Sequence, residues 1–196
     1  MMRRNATMRA DFTLYTPEYI SGVMSLRKPQ KKSLEILDII VNSVNLKKGM
    51  NLQAALGAVK ALYPTCTDFE RDFMSLTFAL ATGVGKTRLM GAFIAYLYTQ
   101  HNIKNFFVVA PNTTIYNKLC RDLNDNNSPK YVFRGLSCFV NAPQVITGED
   151  YRSKPLSLFQ SEVRIFVFNI SKFDKENANM KKVNEYYGDS FFETLA

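Results

Sequence analysis

Ten consecutive residues, Phe78-Ala79-Leu80-Ala81-Thr82-Gly83-Val84-Gly85-Lys86-Thr87, constrain this chain more than any other feature. An apolar stretch, Met74 to Leu80, reads as a buried strand and is followed by a glycine turn. From Lys86 to Tyr98 the pattern is helical. Strand, glycine loop and helix in that order form the context of a phosphate-binding loop. Gly83 and Gly85 let the backbone bend so that N–H groups point inward at phosphate oxygens. The start of the helix adds free N–H groups and a positive dipole end. Thr82, Gly83, Val84 and Gly85 are therefore expected to cradle the phosphates of a nucleotide. Lys86 places an ammonium at the β/γ-phosphates, and the Thr87 hydroxyl is a candidate ligand for Mg²⁺. The pattern G-x-x-x-x-G-K-[ST] is not fully met, because Leu80 stands at the first glycine position. By chance, Gly-x-Gly-Lys-Thr turns up in a chain of this size on the order of one per cent of the time or less. The bland alternative is a glycine turn with a surface lysine.

The rest of the sequence supports an α/β class. Helices are expected over Lys31–Val44, where Leu34, Leu37, Ile40, Val41 and Val44 recur at helical spacing, and over Leu52–Leu62, ending before Pro64. Asn105 to Pro111 is apolar almost throughout and suits a parallel strand covered on both faces. Asn112 to Leu123 reads as a helix with Asn112 or Thr113 as N-cap. Asp122 to Lys130 is a surface loop. Ser137–Val140 and Gln144–Thr147 are short strand candidates, Val163–Phe168 a stronger one. Asn177–Gly188 reads as a loop or frayed helix, and Phe191–Leu195 begins something apolar. In the first 24 residues Tyr15, Tyr19 and Ile20 are candidates for packing a short arm onto the core. Alternating strands and helices imply a mainly parallel sheet, with ligands at the carboxyl ends of its strands. Gly83, Pro111 and Asn169 fall at such ends and are expected to line one edge.

Composition bounds the function. The chain has 196 residues, 46% hydrophobic and 21% charged, an ordinary globular balance. No apolar run approaches a membrane span, and Met1 to Thr7 does not read as a secretory signal. Three cysteines without C-x-x-C spacing disfavour a zinc site or a disulfide framework, which points to a reducing cytoplasm. With His101 the only histidine, Ser-His and Cys-His catalysis are disfavoured too. The net charge of +8 includes Arg3, Arg4, Arg9, Arg27, Lys28, Lys31 and Lys32 near the start. Such a surplus favours a polyanion such as nucleic acid, although many basic surfaces are merely solvated.

A phosphate loop that cleaves ATP needs an acid at the end of another apolar strand to hold Mg²⁺. None is convincing. Asn169 follows Ile165–Phe168, Asp150 reads as part of a loop, and Asp174 lies several residues beyond its strand. The chain reads as able to grip phosphates and poorly equipped to cleave them. Its last residues halt inside an apolar pattern, so a sequence that stops before the strand bearing that acid is expected over a dead binding module.

Ala81-Thr82-Gly83-Val84-Gly85-Lys86-Thr87 resembles motif I of superfamily 2 (DEAD/DEAH-type) helicases in its A-T-G-x-G-K-T form, frequent in the restriction subunits of type I and type III restriction enzymes. That family does not require glycine at the Leu80 position. Leu26-Arg27-Lys28-Pro29-Gln30 is similar to the family's adenine-recognition element, which would make Gln30 the adenine reader and Arg27 its support. Pro29 departs from the commoner R-x-Y-Q pattern. Val108-Val109-Ala110-Pro111-Asn112-Thr113 is similar to motif Ia, in which Asn112 and Thr113 would meet a nucleic-acid backbone, though helix capping explains the same residues. Phe166 to Phe173 resembles the strand that precedes motif II in type III restriction subunits. The resemblance implies a P-loop RecA-like α/β motor domain, incomplete over residues 26–196 after an arm over 1–25. It further implies ATP and Mg²⁺ as cofactors, DNA as partner, and a modification (methyltransferase) subunit alongside. The alternatives are a small-molecule phosphotransferase, disfavoured by its scattered arginines Arg121, Arg134, Arg152 and Arg164, and a nucleotide-gated binding module.

Overall fold

The computed structural model describes residues 12–44, 46, 47, 49–149 and 162–170. Asp150, Asp174, the Asn177–Gly188 segment and Phe191–Leu195 lie outside the described residues. The chain divides into two compact units, one of Thr16–Phe93 and one of Met1–Tyr15 with Ile94–Ala196.

The first unit is helical. Helix α1 (Pro17–Val23) begins where the Thr16 hydroxyl accepts from the Tyr19 N–H at 3.2 Å, with Pro17 in the first turn, where a missing N–H costs nothing. Helix α2 spans Lys28–Ser43 and starts three residues earlier than its apolar pattern implies. The reason is local: Pro29 is tolerated in the first turn, and Gln30 Oε1 reaches back to accept from the Arg27 N–H at 2.7 Å. Helix α3 (Leu52–Leu62) is capped by Asn51, whose Oδ1 accepts from the Ala54 N–H at 3.0 Å, and it stops before Pro64 as expected. Ile40 of α2 and its C-cap Val44 meet Ala55 and Val59 of α3 and Phe69 in one buried cluster. Each large apolar side chain buried there contributes about 1.5–3 kcal/mol.

Residues 74–81 form no strand, which corrects the expected Met74–Leu80. Met74 and Leu76 pack onto the α2–α3 cluster instead. Alternate residues Thr77 and Ala79 are exposed, and the segment enters no ladder. An apolar run of this length does not by itself distinguish the two outcomes. Gly83 therefore follows no strand end. Helix α4 (Lys86–His101) runs three residues beyond the expected Tyr98. It ends where Asn102 takes a left-handed φ of 54°, its N–H on the Tyr98 carbonyl at 3.0 Å.

The second unit carries a three-stranded parallel sheet in the order β1-β3-β2, with β1 Asn105–Ala110, β2 Gln144–Thr147 and β3 Arg164–Asn169. Helix α5 (Thr113–Asn124) lies against all three strands. Central β3 is buried from Ile165 to Asn169, as its unbroken apolar run requires. Strand β1, expected to be covered on both faces, is an edge strand among the described residues, and Val109 is 43% exposed. In register Ala110 faces Asn169, so Pro111 and Asn169 do leave the same edge.

Ser137–Val140, expected as a strand, is a 3-10 turn over Ser137–Phe139. Buried Tyr15 accounts for the difference. Its hydroxyl accepts from the Cys138 N–H at 2.6 Å and pairs with Ser137 Oγ at 2.7 Å, so the backbone is held away from a ladder. Phe139 meanwhile packs on Phe133 and Tyr98.

Burial raises the Tyr15 phenol to about 12, Tyr131 to about 12 and the Cys138 thiol to about 11. Unfolded, these groups release protons near 10, 10 and 9, so above pH 9 the unfolded chain holds fewer protons than the folded one. The stability these groups confer is complete below pH 9 and is lost as pH rises through 11 to 12. Denaturant midpoints measured by circular dichroism from pH 8 to 11.5 are expected to fall across that window. Cys138→Ala is expected to delay the onset of the fall.

Candidate phosphate-binding site

The loop from Thr82 to Gly85 turns through two residues in the left-handed region, Gly83 at φ +81° and Gly85 at φ +96°. Non-glycine residues rarely adopt either value, so the glycine spacing is a demand of the backbone. The Gly85 carbonyl accepts from the Arg88 N–H at 3.0 Å and the Leu89 N–H at 3.2 Å, which starts α4. Lys86 and Thr87 then sit in the first turn, where their N–H groups have no acceptor within the helix. Lys86 is exposed, with Nζ on the Ala81 carbonyl at 3.2 Å across the loop, and Thr87 is half-buried.

The residues singled out upstream meet this loop. Arg27 Nη1 donates to the Gly83 carbonyl at 3.0 Å, and Gln30 Nε2 donates to the Gly85 carbonyl at 2.8 Å. Gln30 is only 2% exposed, and its other amide atom holds the Arg27 N–H. Its first role is to fix the loop: one lone pair and one N–H of the amide remain for any other partner. Arg27 and Gln30 thus tether the carbonyls of both left-handed glycines. A Cβ on Gly85 would lie 2.8 Å from Gln30 Nε2, so the close approach depends on glycine. Free helix-start donors, a movable ammonium and a hydroxyl beside it match what the phosphates of ATP and an accompanying Mg²⁺ require.

In the sheet unit, Asn112 Oδ1 accepts from the Ile115 N–H at 2.9 Å and caps α5. Asn169 Nδ2 donates to Thr113 Oγ1 at 3.2 Å. Both exposed candidates thus have structural partners at the sheet's carboxyl edge. Two features escaped the sequence. Tyr116 of α5 hydrogen-bonds Glu149, just after β2, and Arg88 Nη1 donates to the Met24 carbonyl at 2.6 Å. Neither has a local signal, since 33 and 64 residues separate the partners.

No helix among the described residues is long and apolar enough to cross a membrane. Comparison with curated proteins and with solved structures gives no match. The family described as "Type III restriction enzyme, res subunit" matches residues 23–195. With that match over most of its length, the chain belongs to the res subunit family of type III restriction enzymes, an ATP-dependent, helicase-like family whose domain is a P-loop RecA-like α/β fold.

Proposed function

We propose that this chain supplies the ATP-binding part of the first motor domain of a DNA translocase, the restriction subunit of a type III restriction-modification system. The observation that carries this reading is the loop itself, with two left-handed glycines, both carbonyls tethered by Arg27 and Gln30, and Lys86-Thr87 at the head of α4. Thr82 to Thr87 would hold the phosphates, with Lys86 the essential cation and Thr87 the ligand to Mg²⁺. Gln30, supported by Arg27, would read adenine with its remaining N–H and lone pair. Asn112 and Thr113 would contact DNA from the start of α5. DNA and a modification subunit are the partners this reading implies, and its setting is the cytoplasm.

One observation favours a second reading, a nucleotide-gated binding module. Asn169, at the end of the central strand, is uncharged and bonded to Thr113. Hydrolysis assays on the intact protein with and without duplex DNA decide between them. The translocase reading expects ATP hydrolysis that is stimulated by DNA and lost in Lys86→Ala. Hydrolysis indifferent to DNA would overturn it.

A further inference from the structure

We infer that Arg88 is a positioning residue for the phosphate loop, acting through the turn between α1 and α2; the inference rests on the phosphate-binding reading of that loop. Arg88 is the third residue of α4, immediately after Thr87. Its Nη1 is engaged on the Met24 carbonyl at 2.6 Å, short enough for a charge-assisted bond. Met24 is the C-cap of α1, so this carbonyl lies at the negative end of that helix, where a cation is favoured.

The residues after Met24 give the contact its consequence. Ser25 takes a left-handed φ of 49°, a conformation serine adopts only when its surroundings impose it. The Ser25 N–H bonds the Gly22 carbonyl at 3.1 Å, and the Leu26 N–H bonds the Ser21 carbonyl at 2.9 Å. The chain emerges from this tight turn directly into Arg27, which reaches Gly83, and then into Gln30, which reaches Gly85. Gly85 in turn starts α4 and so carries Arg88. Three hydrogen bonds and the backbone between them close a circuit within one compact unit: α4 to Met24, along the chain from Met24 to Arg27 and Gln30, and back to the two glycines. Arg88 holds the far side of that circuit. Without it the turn keeps its own backbone hydrogen bonds but loses its anchor on α4, and the register of the two tethers on the loop is loosened.

Arg88 is exposed, so shortening it leaves no buried charge, although Met24 itself is only 3% exposed. Arg88→Met keeps the apolar stem and deletes the donor, whereas Arg88→Lys keeps one. The test is calorimetric titration with MgATP of the wild-type chain, Arg88→Met, Arg88→Lys, Arg27→Ala and the Arg27→Ala/Arg88→Met pair, with melting temperatures recorded alongside. Expected are losses of roughly 5–10-fold in affinity for Arg88→Met and for Arg27→Ala, with the double variant little worse than either single one, because both cut the same circuit. Arg88→Lys is expected to stay within about twofold of wild type, since a lysine still supplies one charged donor. Melting temperatures are expected to fall by only a few degrees, roughly what one lost charge-assisted hydrogen bond costs. Wild-type affinity in Arg88→Met, or losses that multiply in the double variant, overturn the inference alone. A wild-type chain that does not bind MgATP overturns the phosphate-binding reading and the inference with it.

Discussion

Lys86→Ala is expected to lower affinity for MgATP by about 100-fold or more while leaving the melting temperature nearly unchanged. The two halves of that expectation have separate causes. Lys86 is exposed, and its one hydrogen bond, to the Ala81 carbonyl, closes the loop over itself. Removing it leaves no cavity and no buried charge, so the fold loses little. Against a triphosphate the same ammonium would meet several negative oxygens at the start of a helix. A pair of that kind is worth about 3 kcal/mol, or about 100-fold in affinity. Binding of MgATP to the purified variant, followed by calorimetry, checks the magnitude. Loss of binding together with loss of folding would mean that Lys86 is structural.

Gly85→Ala is expected to be the most destabilising single change at this site. The added Cβ meets Gln30 Nε2 at 2.8 Å, and φ +96° is hostile to any L side chain. Gln30 is buried and bonded through both atoms of its amide, so shifting it disturbs its bonds to the Gly85 carbonyl and the Arg27 N–H as well. Strain together with an unsatisfied buried amide costs about 2–4 kcal/mol. Gly83→Ala is the control. Nothing lies within 4 Å of a Cβ there, although φ is +81°. Backbone strain alone then costs about 1–2 kcal/mol. Urea denaturation of both variants measures the difference, and the excess for Gly85→Ala reports the Gln30 contact. Equal costs would show that Gln30 does not brace the loop.

The sequence was most legible where chemistry and backbone geometry impose the same residues. Glycines 83 and 85 occupy left-handed positions, and Lys86 and Thr87 open a helix, as the spacing demands. Helix α3 has its expected limits because Asn51 and Pro64 mark them locally. Strand β3 was legible as a buried apolar run. The failures share one cause, competition from partners distant in sequence. Met74–Leu80 looks like a strand, but Met74 and Leu76 are taken up by the α2–α3 cluster and Phe78 by Phe93 of α4. Ser137–Phe139 is shaped by Tyr15, 122 residues earlier. Pairing Arg27 and Gln30 ahead of a helix was visible by resemblance; their hold on the glycine carbonyls was not, because no local pattern encodes a bond across 55 residues.

The central claim is that the turn around Lys86 wraps the terminal phosphates of a nucleotide. It is tested most directly by titrating the chain, with Mg²⁺ present, with ATP, inorganic tripolyphosphate and AMP under one set of conditions. Binding of ATP and of tripolyphosphate, both abolished by Lys86→Ala, with AMP bound at least about 100-fold more weakly than ATP, is the predicted result. AMP binding as tight as ATP, or no heat from either polyphosphate, would contradict it.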